Sequence, residues 1–337
     1  MTHTFSTQAL ADRSDQERLV YAWTTGLRHE VHPVFGEAIG TGPLHHALRE
    51  HVQAQVRAES SRDRAARQQQ HHPAPGAELD DYLPKVLEIP GLGPSLVALR
   101  FKGLRTDAPF VDLLHGSQPL TEPALVHLCR ATQDIYRRVQ PLWLRTYQGS
   151  HHAQVRVAGT RGDQRLVAGH IPNLRRTALP SPDPTLRVSP CTSPEATYRH
   201  YMSELAAFLA ENPAVGAELW PSSQEEFRRL ATEGCIRDAW LGDRWAGVIA
   251  SDCSADFWGI LCHVIFEEFL AAHARGRGLA PVMQQRFIAD LDVDRSSLVA
   301  GTIHATNEAS LRTALKVGRI DVGGFDFHPL SQPEGMY

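Results

Sequence analysis

Six consecutive residues, Arg275-Gly276-Arg277-Gly278-Leu279-Ala280, place two glycines and two arginines where one apolar run ends and another begins. Residues 258–270 read as a strand, and residues 279–291 as a helix whose larger apolar members are Val282, Phe287, Ile288 and Leu291. A chain that turns through glycines can aim several backbone N–H groups into one small space. The start of the helix adds uncommitted amides and the positive end of its dipole. Such a corner suits an anion, and a phosphate or diphosphate is the natural guest. Two nucleotide motifs are excluded. No Walker string occurs, and the Rossmann pattern fails at its third glycine, since Gly278 is followed two residues on by Ala280 and then Pro281.

The spacing Arg275-x-x-Gly278-x-Ala280 resembles the coenzyme A pyrophosphate loop of the GNAT family of N-acetyltransferases. A second stretch, Asn307-x-x-Ser310 with Gly318 eleven residues after the asparagine, resembles that family's other signature. The resemblance spans about residues 184–328. It implies acetyl-CoA as cofactor, held by the backbone of Arg275, Gly276, Arg277, Gly278, Leu279 and Ala280. It also implies that the strand before the loop and the strand after its helix splay apart. The cofactor arm then pairs with a free strand edge within residues 264–270, where Val264, Phe266, Phe269 and Leu270 are its expected contacts. Asn307 matches a residue that commonly contacts that arm, and is equally suited to capping the helix that follows it.

Acyl transfer to an amine requires a neutral nitrogen, and a lysine-like amine has a pKa of about 10.4 in water. Glu267 and Glu268, in the strand beside the expected thioester, are the first choices for the base. Strand alternation sends them to opposite faces, so at most one serves. His263, His304 and Cys262 are weaker choices, better explained as core or surface residues. The chain departs from the family at Ala314, where many members carry a thiolate-protonating tyrosine, and at Arg319, where an aromatic is usual. The acceptor is expected to be a primary amine, on a small molecule, peptide or protein, transferred to directly. A cofactor-binding protein without turnover, on a decayed tandem, is the alternative.

These residues need a framework. The chain has 337 residues, 42% of them apolar, which suits two domains with real cores. A net charge of −4 gives no support for a nucleic-acid partner. No membrane span or signal pattern is apparent, so a cytoplasmic location is expected, with all five cysteines as free thiols. Eighteen histidines include three doublets but no metal-ligand spacing, so no metal is expected.

The fold class is α/β (α+β, mixed sheet). The prolines at 180, 182 and 184 set a boundary between an amino-terminal α/β domain, 1–180, and a GNAT domain, 181–337. In the second half the elements run β-α-α-β-β-β-loop-α-β-α-β, the order of the family. The first half has a short helix near 17–24, a long helix over 44–70 with a solvated end, and strands at 95–102, 109–115, 141–147, 153–157 and 165–171. A helix over 122–139 separates the second and third strands. That order echoes the second half without its phosphate loop. It allows a degenerate second copy that forms part of the acceptor cleft or a homodimer surface.

Overall fold

The computed structural model describes residues 4–5, 13–101, 108–177, 185–213, 221–252 and 254–330. Strand β1 (Thr4–Phe5) precedes four helices, α1 (Arg13–Glu30), α2 (Pro33–Ile39), α3 (Thr41–Glu59) and α4 (Arg62–His71). Strands β2 (Lys85–Ile89), β3 (Gly93–Phe101) and β4 (Pro109–His115) lead to α5 (Glu122–Ile135), then β5 (Trp143–Gly149), β6 (Arg161–His170) and the short α6 (Ile171–Leu174). The second half opens with β7 (Leu186–Pro190), α7 (Pro194–Glu211), α8 (Gln224–Thr232), β8 (Ile236–Leu241) and β9 (Arg244–Asp252). A small hairpin, β10 (Asp256–Phe257) and β11 (Ile260–Leu261), precedes β12 (His263–Leu270) and α9 (Leu279–Ala289). β13 (Leu298–His304), α10 (Glu308–Lys316) and β14 (Ile320–Pro329) complete the described chain.

Twelve strands make one continuous sheet in the order β1-β2-β3-β4-β5-β14-β6-β13-β12-β9-β8-β7. Read from either edge the plan is the same. Three antiparallel pairings lead to one parallel pair, β4 with β5 or β12 with β13. The halves exchange their last strands: β14 lies between β5 and β6, and β6 lies between β13 and β14. The seam is the antiparallel β6–β14 ladder, and its flanks are β5–β14 and β13–β6. Each half is therefore completed by a strand of the other, as in a two-fold arrangement.

Both sheet faces are covered. On one face α1 and α3 bury Leu19, Trp23, Val52 and Val56 against Val86 and Leu96, while α7 and α8 bury Tyr201, Leu205, Phe227 and Leu230 against Val248 and Ala250. Phe35 of α2 and Leu48 of α3 cross to the second half and pack on Leu298 and Ala300 of β13. On the opposite face α5 covers Val97, Val111 and Leu144, and α9 covers Ile249, Ile265 and Val299.

Several expectations are corrected. Residues 44–70 are two helices, not one. Ser61 caps α4 by accepting from Arg64 N at 3.3 Å, and buried Glu59 pairs with Arg64 and Arg100 at 2.7 Å each. The second piece is solvated along most of its length, as expected, with Ala65 buried in the α5 cluster. Residues 153–157 form no strand. The Gln148 side chain takes the place of a neighbouring strand by bonding Val155 N and Val155 O at 2.6 and 3.0 Å. The short helix near 17–24 is the eighteen-residue α1, and β2 has no counterpart in the expectation. The strand expected over 258–270 is interrupted by the β10–β11 turn, so β12 begins at His263. Of the cysteines, Cys129, Cys191 and Cys262 are free, but Cys235, 4% exposed in the α7–α8 core, is disulfide-bonded to a partner outside the described residues. The proline linker also lies mostly outside them. Among the described residues no helix is long and apolar enough to cross a membrane, and no cluster of three His, Cys, Asp or Glu side chains could hold a metal ion.

Candidate functional site

The site begins where β12 leaves β13. The two strands are in register only at His263 with Val299 and Val264 with Ala300. Beyond that β13 stays paired with β6 to His304, while β12 stays paired with β9 to Leu270. From Ile265 onward β12 has no partner on its β13 side, and a bulge between Ile265 and Glu267 bends it away. Ala271 N donates to Ala246 O at 2.9 Å, which fixes the alternation of the β12–β9 ladder. Glu267 and Phe269 therefore turn their backbone groups toward β9, and Glu268 and Leu270 turn theirs into the gap. One of these groups is taken, since Arg275 Nε donates to Leu270 O at 2.7 Å.

At the end of this strand the chain makes a 3-10 turn, Ala272–Ala274, and enters the glycine corner. Gly276 and Gly278 have φ of 73° and 72°, and a Cβ on either would meet nothing within 4 Å. The corner is thus open, not filled by side chains. Gly278 is the N-cap of α9 and supplies no side-chain bond to it. The first-turn amides of Leu279 and Ala280 have no intrahelical acceptor, and Pro281 at the third position has no N–H to satisfy. A tetrahedral anion fits these donors. Arg275 contributes no side-chain charge to the corner. Its guanidinium turns back over the rings of Phe208 and Phe269, 4.6 and 4.9 Å away, and ties the corner to α7.

Glu267 and Glu268 lie on opposite faces, as alternation requires. Glu267 faces α7 and α8, where it is hydrogen-bonded to Tyr201 and accepts from Ser222 Oγ at 3.2 Å. Burial pushes its pKa up, and those two bonds hold it down. Glu268 faces α9, accepts from Gln284 Nε2, and has a pKa raised to about 7 by burial, against the pull of Arg319 and Gln284. Arg319 is 3% exposed, and burial lowers its pKa to about 10. It lies over Gly301, where an added Cβ would stand 2.8 Å from Ile265 O and 3.4 Å from Arg319 Nη1. Glu268 Oε1, Gln284 Oε1 and Arg319 Nε are buried without partners among the described residues.

Glu268 carries a prediction. Its carboxyl keeps, when folded, a proton that the unfolded chain releases near 4.5. Stability from that proton is complete below 4.5 and is lost as pH rises through about 7. Between acid and mildly alkaline conditions the loss is ~3 kcal/mol, at about 1.4 kcal/mol per pH unit. Denaturant melts at the two ends of that range should show the decline in the wild type and a flatter profile in Glu268→Gln.

Of the other expected residues, Val264 stands at the last paired position, and Phe266 is the exposed bulge residue. Phe269 packs against Tyr201 in the α7–α8 cluster, and Leu270 packs on the α9 side. Asn307 caps α10, its Oδ1 accepting from Ser310 N at 3.1 Å. Cys262 is fully buried with its thiol pKa pushed up to about 12, and His263 is 1% exposed with Nε2 on Asp292 O at 2.8 Å. Both are core residues. Ala314 is fully buried with Val167 and Ile303, so no hydroxyl reaches the gap from that position. Tyr201, Ser222 and Gln284 belong to the site but have no motif. Tyr201 is one of the buried residues of α7 and drew no notice in the sequence.

This arrangement fixes the architecture. The second half has the strand order and the divided parallel pair of a GNAT fold. Each half has the same strand plan with a splayed parallel pair, and the open glycine corner lies in the second half. No family model matches the chain, and no curated protein does. Solved structures resemble it distantly. A GNAT-family acetyltransferase from Colwellia psychrerythraea is 10% identical, with 98% of this chain and 100% of that chain covered and a TM-score of 0.47. A tandem GNAT protein from the clavulanic acid biosynthesis pathway is 11% identical over 99% of both chains, with a TM-score of 0.42. A GCN5-related N-acetyltransferase from Sphaerobacter thermophilus is 13% identical, with 83% of this chain and 95% of that chain covered and a TM-score of 0.45. At such identities likeness bears on the fold alone. The fold itself rests on this chain's strand order and its divided pair.

Proposed function

We propose that the protein is an acetyl-CoA-dependent N-acetyltransferase acting on a primary amine by direct transfer, with the cofactor in the second half, residues 181–337. The observation that carries this reading is the divided β12–β13 pair ending at an unfilled glycine corner. A free strand edge suits the amide-rich arm of coenzyme A, and the corner suits its diphosphate. Acetyl-CoA supplies the acetyl group as a thioester. The chain's own residues would do the rest. Corner amides hold the diphosphate, and the gap-facing backbone of Glu268 orients the arm. Glu267, on the face walled by α7, α8 and the α2–α3 pair from the first half, takes the amine's proton.

A second reading has one observation in its favour. Ala314 offers no acid for the departing thiolate, so a cofactor-binding protein without turnover is the rival. A thiol pKa of ~8.5 lets the group leave unassisted, which favours catalysis. Thiol release from acetyl-CoA over a library of amines separates the two. Amine-dependent release supports the enzyme. Coenzyme A binding by calorimetry with no release for any amine supports the rival, and no binding removes both.

A further inference from the structure

The first half keeps its own splayed pair but not the diphosphate seat. β4 and β5 are in register from Phe110 with Trp143 to Asp112 with Arg145, and β4 then continues without β5 to His115. The following corner is filled. A Cβ on Gly116 would stand 2.9 Å from Leu92 Cδ1, and one on Gly26 of α1 would stand 2.0 Å from Gly116 O. The helix beyond it, α5, is already capped by Thr121. What the gap retains is a cavity of about 300 Å³ on the α1–α3 face, roofed by the β10–β11 hairpin of the second half.

Three features show that this cavity is built for a guest. Its wall includes His115, 4% exposed, with both ring nitrogens lacking a partner. The ring is held by stacking on Trp23 at 5.9 Å and by the edge of His51 at 6.4 Å. Burial lowers the pKa of both histidines, His115 to about 3, so neither adds positive charge at neutral pH. Trp258, also in the wall, has φ of +56°, which a side-chain-bearing residue seldom adopts. The hairpin is pressed on α3, because a Cβ on Gly259 would stand 2.7 Å from Ala47 O. The indole is thereby set 5.1 Å from the Tyr147 ring. Third, the charge is one-sided. Arg145, the single Lys or Arg in the lining, is committed to Asp112 through bonds of 2.5 and 2.8 Å and to Asp163 at 3.1 Å. Glu30 and Asp256 remain in the lining with no Lys or Arg there to neutralise them; Glu30 Oε2 accepts from Gly149 N at 2.9 Å and Asp256 Oδ1 from Gly259 N at 2.8 Å, and each keeps a second carboxylate oxygen.

We propose that this cavity is a second small-molecule site and that its guest is an organic ammonium compound, a primary amine carried on an apolar body. Carboxylates sharing a lining with the half-buried Trp258 and with Phe257 and Tyr147 favour a cation over a neutral or anionic isostere, and neutral His115 offers one donor and one acceptor to a further polar group. The site stands independently of acyl transfer.

The test is calorimetry of the full chain with phenethylamine, phenethyl alcohol and phenylacetate at neutral pH. The amine should bind at least about tenfold more tightly than the alcohol, and phenylacetate least. Glu30→Gln should abolish the preference for the amine. Trp258→Leu should weaken the amine by ~tenfold while the fold, read by circular dichroism, survives, since leucine loses the indole face but keeps apolar contact in the Phe35 cluster. Equal affinity for amine and alcohol, or binding of none of the three, overturns the proposal. So does amine binding that survives both substitutions, which would place the amine beside Glu267 instead.

Discussion

Gly278→Asp should weaken coenzyme A binding at least about a hundredfold while the fold survives. The position is open, so the new side chain meets no atom within 4 Å at its Cβ. Its cost to the fold is the left-handed φ of 72°, which aspartate tolerates better than most residues, at ~1 kcal/mol. Aspartate at an N-cap returns part of that by accepting from the first turn. The melting temperature should therefore change little. The cofactor meets a different situation. A carboxylate would sit among the amides meant for a diphosphate, taking their bonds and repelling the charge. Two like charges about 4 Å apart at a protein surface repel by ~4 kcal/mol, and a hundredfold loss needs only about 2.7 kcal/mol. Gly278→Ala is the control. It carries the φ penalty without the charge and should lose far less affinity. Titration calorimetry beside thermal melts reads both. Wild-type affinity in the aspartate variant would remove the corner from the mechanism.

Glu267→Gln should lower kcat by ~10²–10⁴-fold, the range for losing a positioned base. The substitution should not unfold the protein. Burial raises the folded pKa of Glu267, so its ionised form is a liability at neutral pH that glutamine lacks. The pH profile distinguishes a base from a merely structural carboxylate. A base works when deprotonated, so the wild-type rate should rise with pH through a pKa above the usual glutamate value, and Glu267→Gln should lose that limb. Tyr201→Phe adds a direction. The Tyr201 bond holds the Glu267 pKa down, so its removal should move the limb to higher pH. A limb unmoved in both variants would point to a different base.

What was legible in the sequence was what local chemistry dictates. A left-handed corner must be written in glycine, and Gly276 and Gly278 stood out for that reason. The second half's elements were legible because their alternation and caps, such as Ser223 before α8, are local. The opposed faces of Glu267 and Glu268 followed from period two alone. The exchange of β6 and β14 was not legible. It is a pairing between segments some 150 residues apart, and each strand has the same alternation whichever neighbour it takes. The break at Ser60-Ser61 was hidden because residues 44–72 contain no Gly or Pro to mark it. Arg319 drew notice as an odd residue after Gly318. Its burial opposite Glu268 needed Gly301 to be bare, a coincidence of three separate elements.

The crossed terminal strands make the protein a single act of assembly. While β14 is still being synthesised, β5 and β6 have no common neighbour, and β6 stays cut off from the run β1–β5. A fragment ending near residue 180 would leave β5 with one bare edge and β6 with two, which invite pairing between chains. Expressed separately, the halves should be unstable and prone to aggregate, yet complement one another when mixed. Neither half can be shed alone, since each borrows its innermost strand from the other.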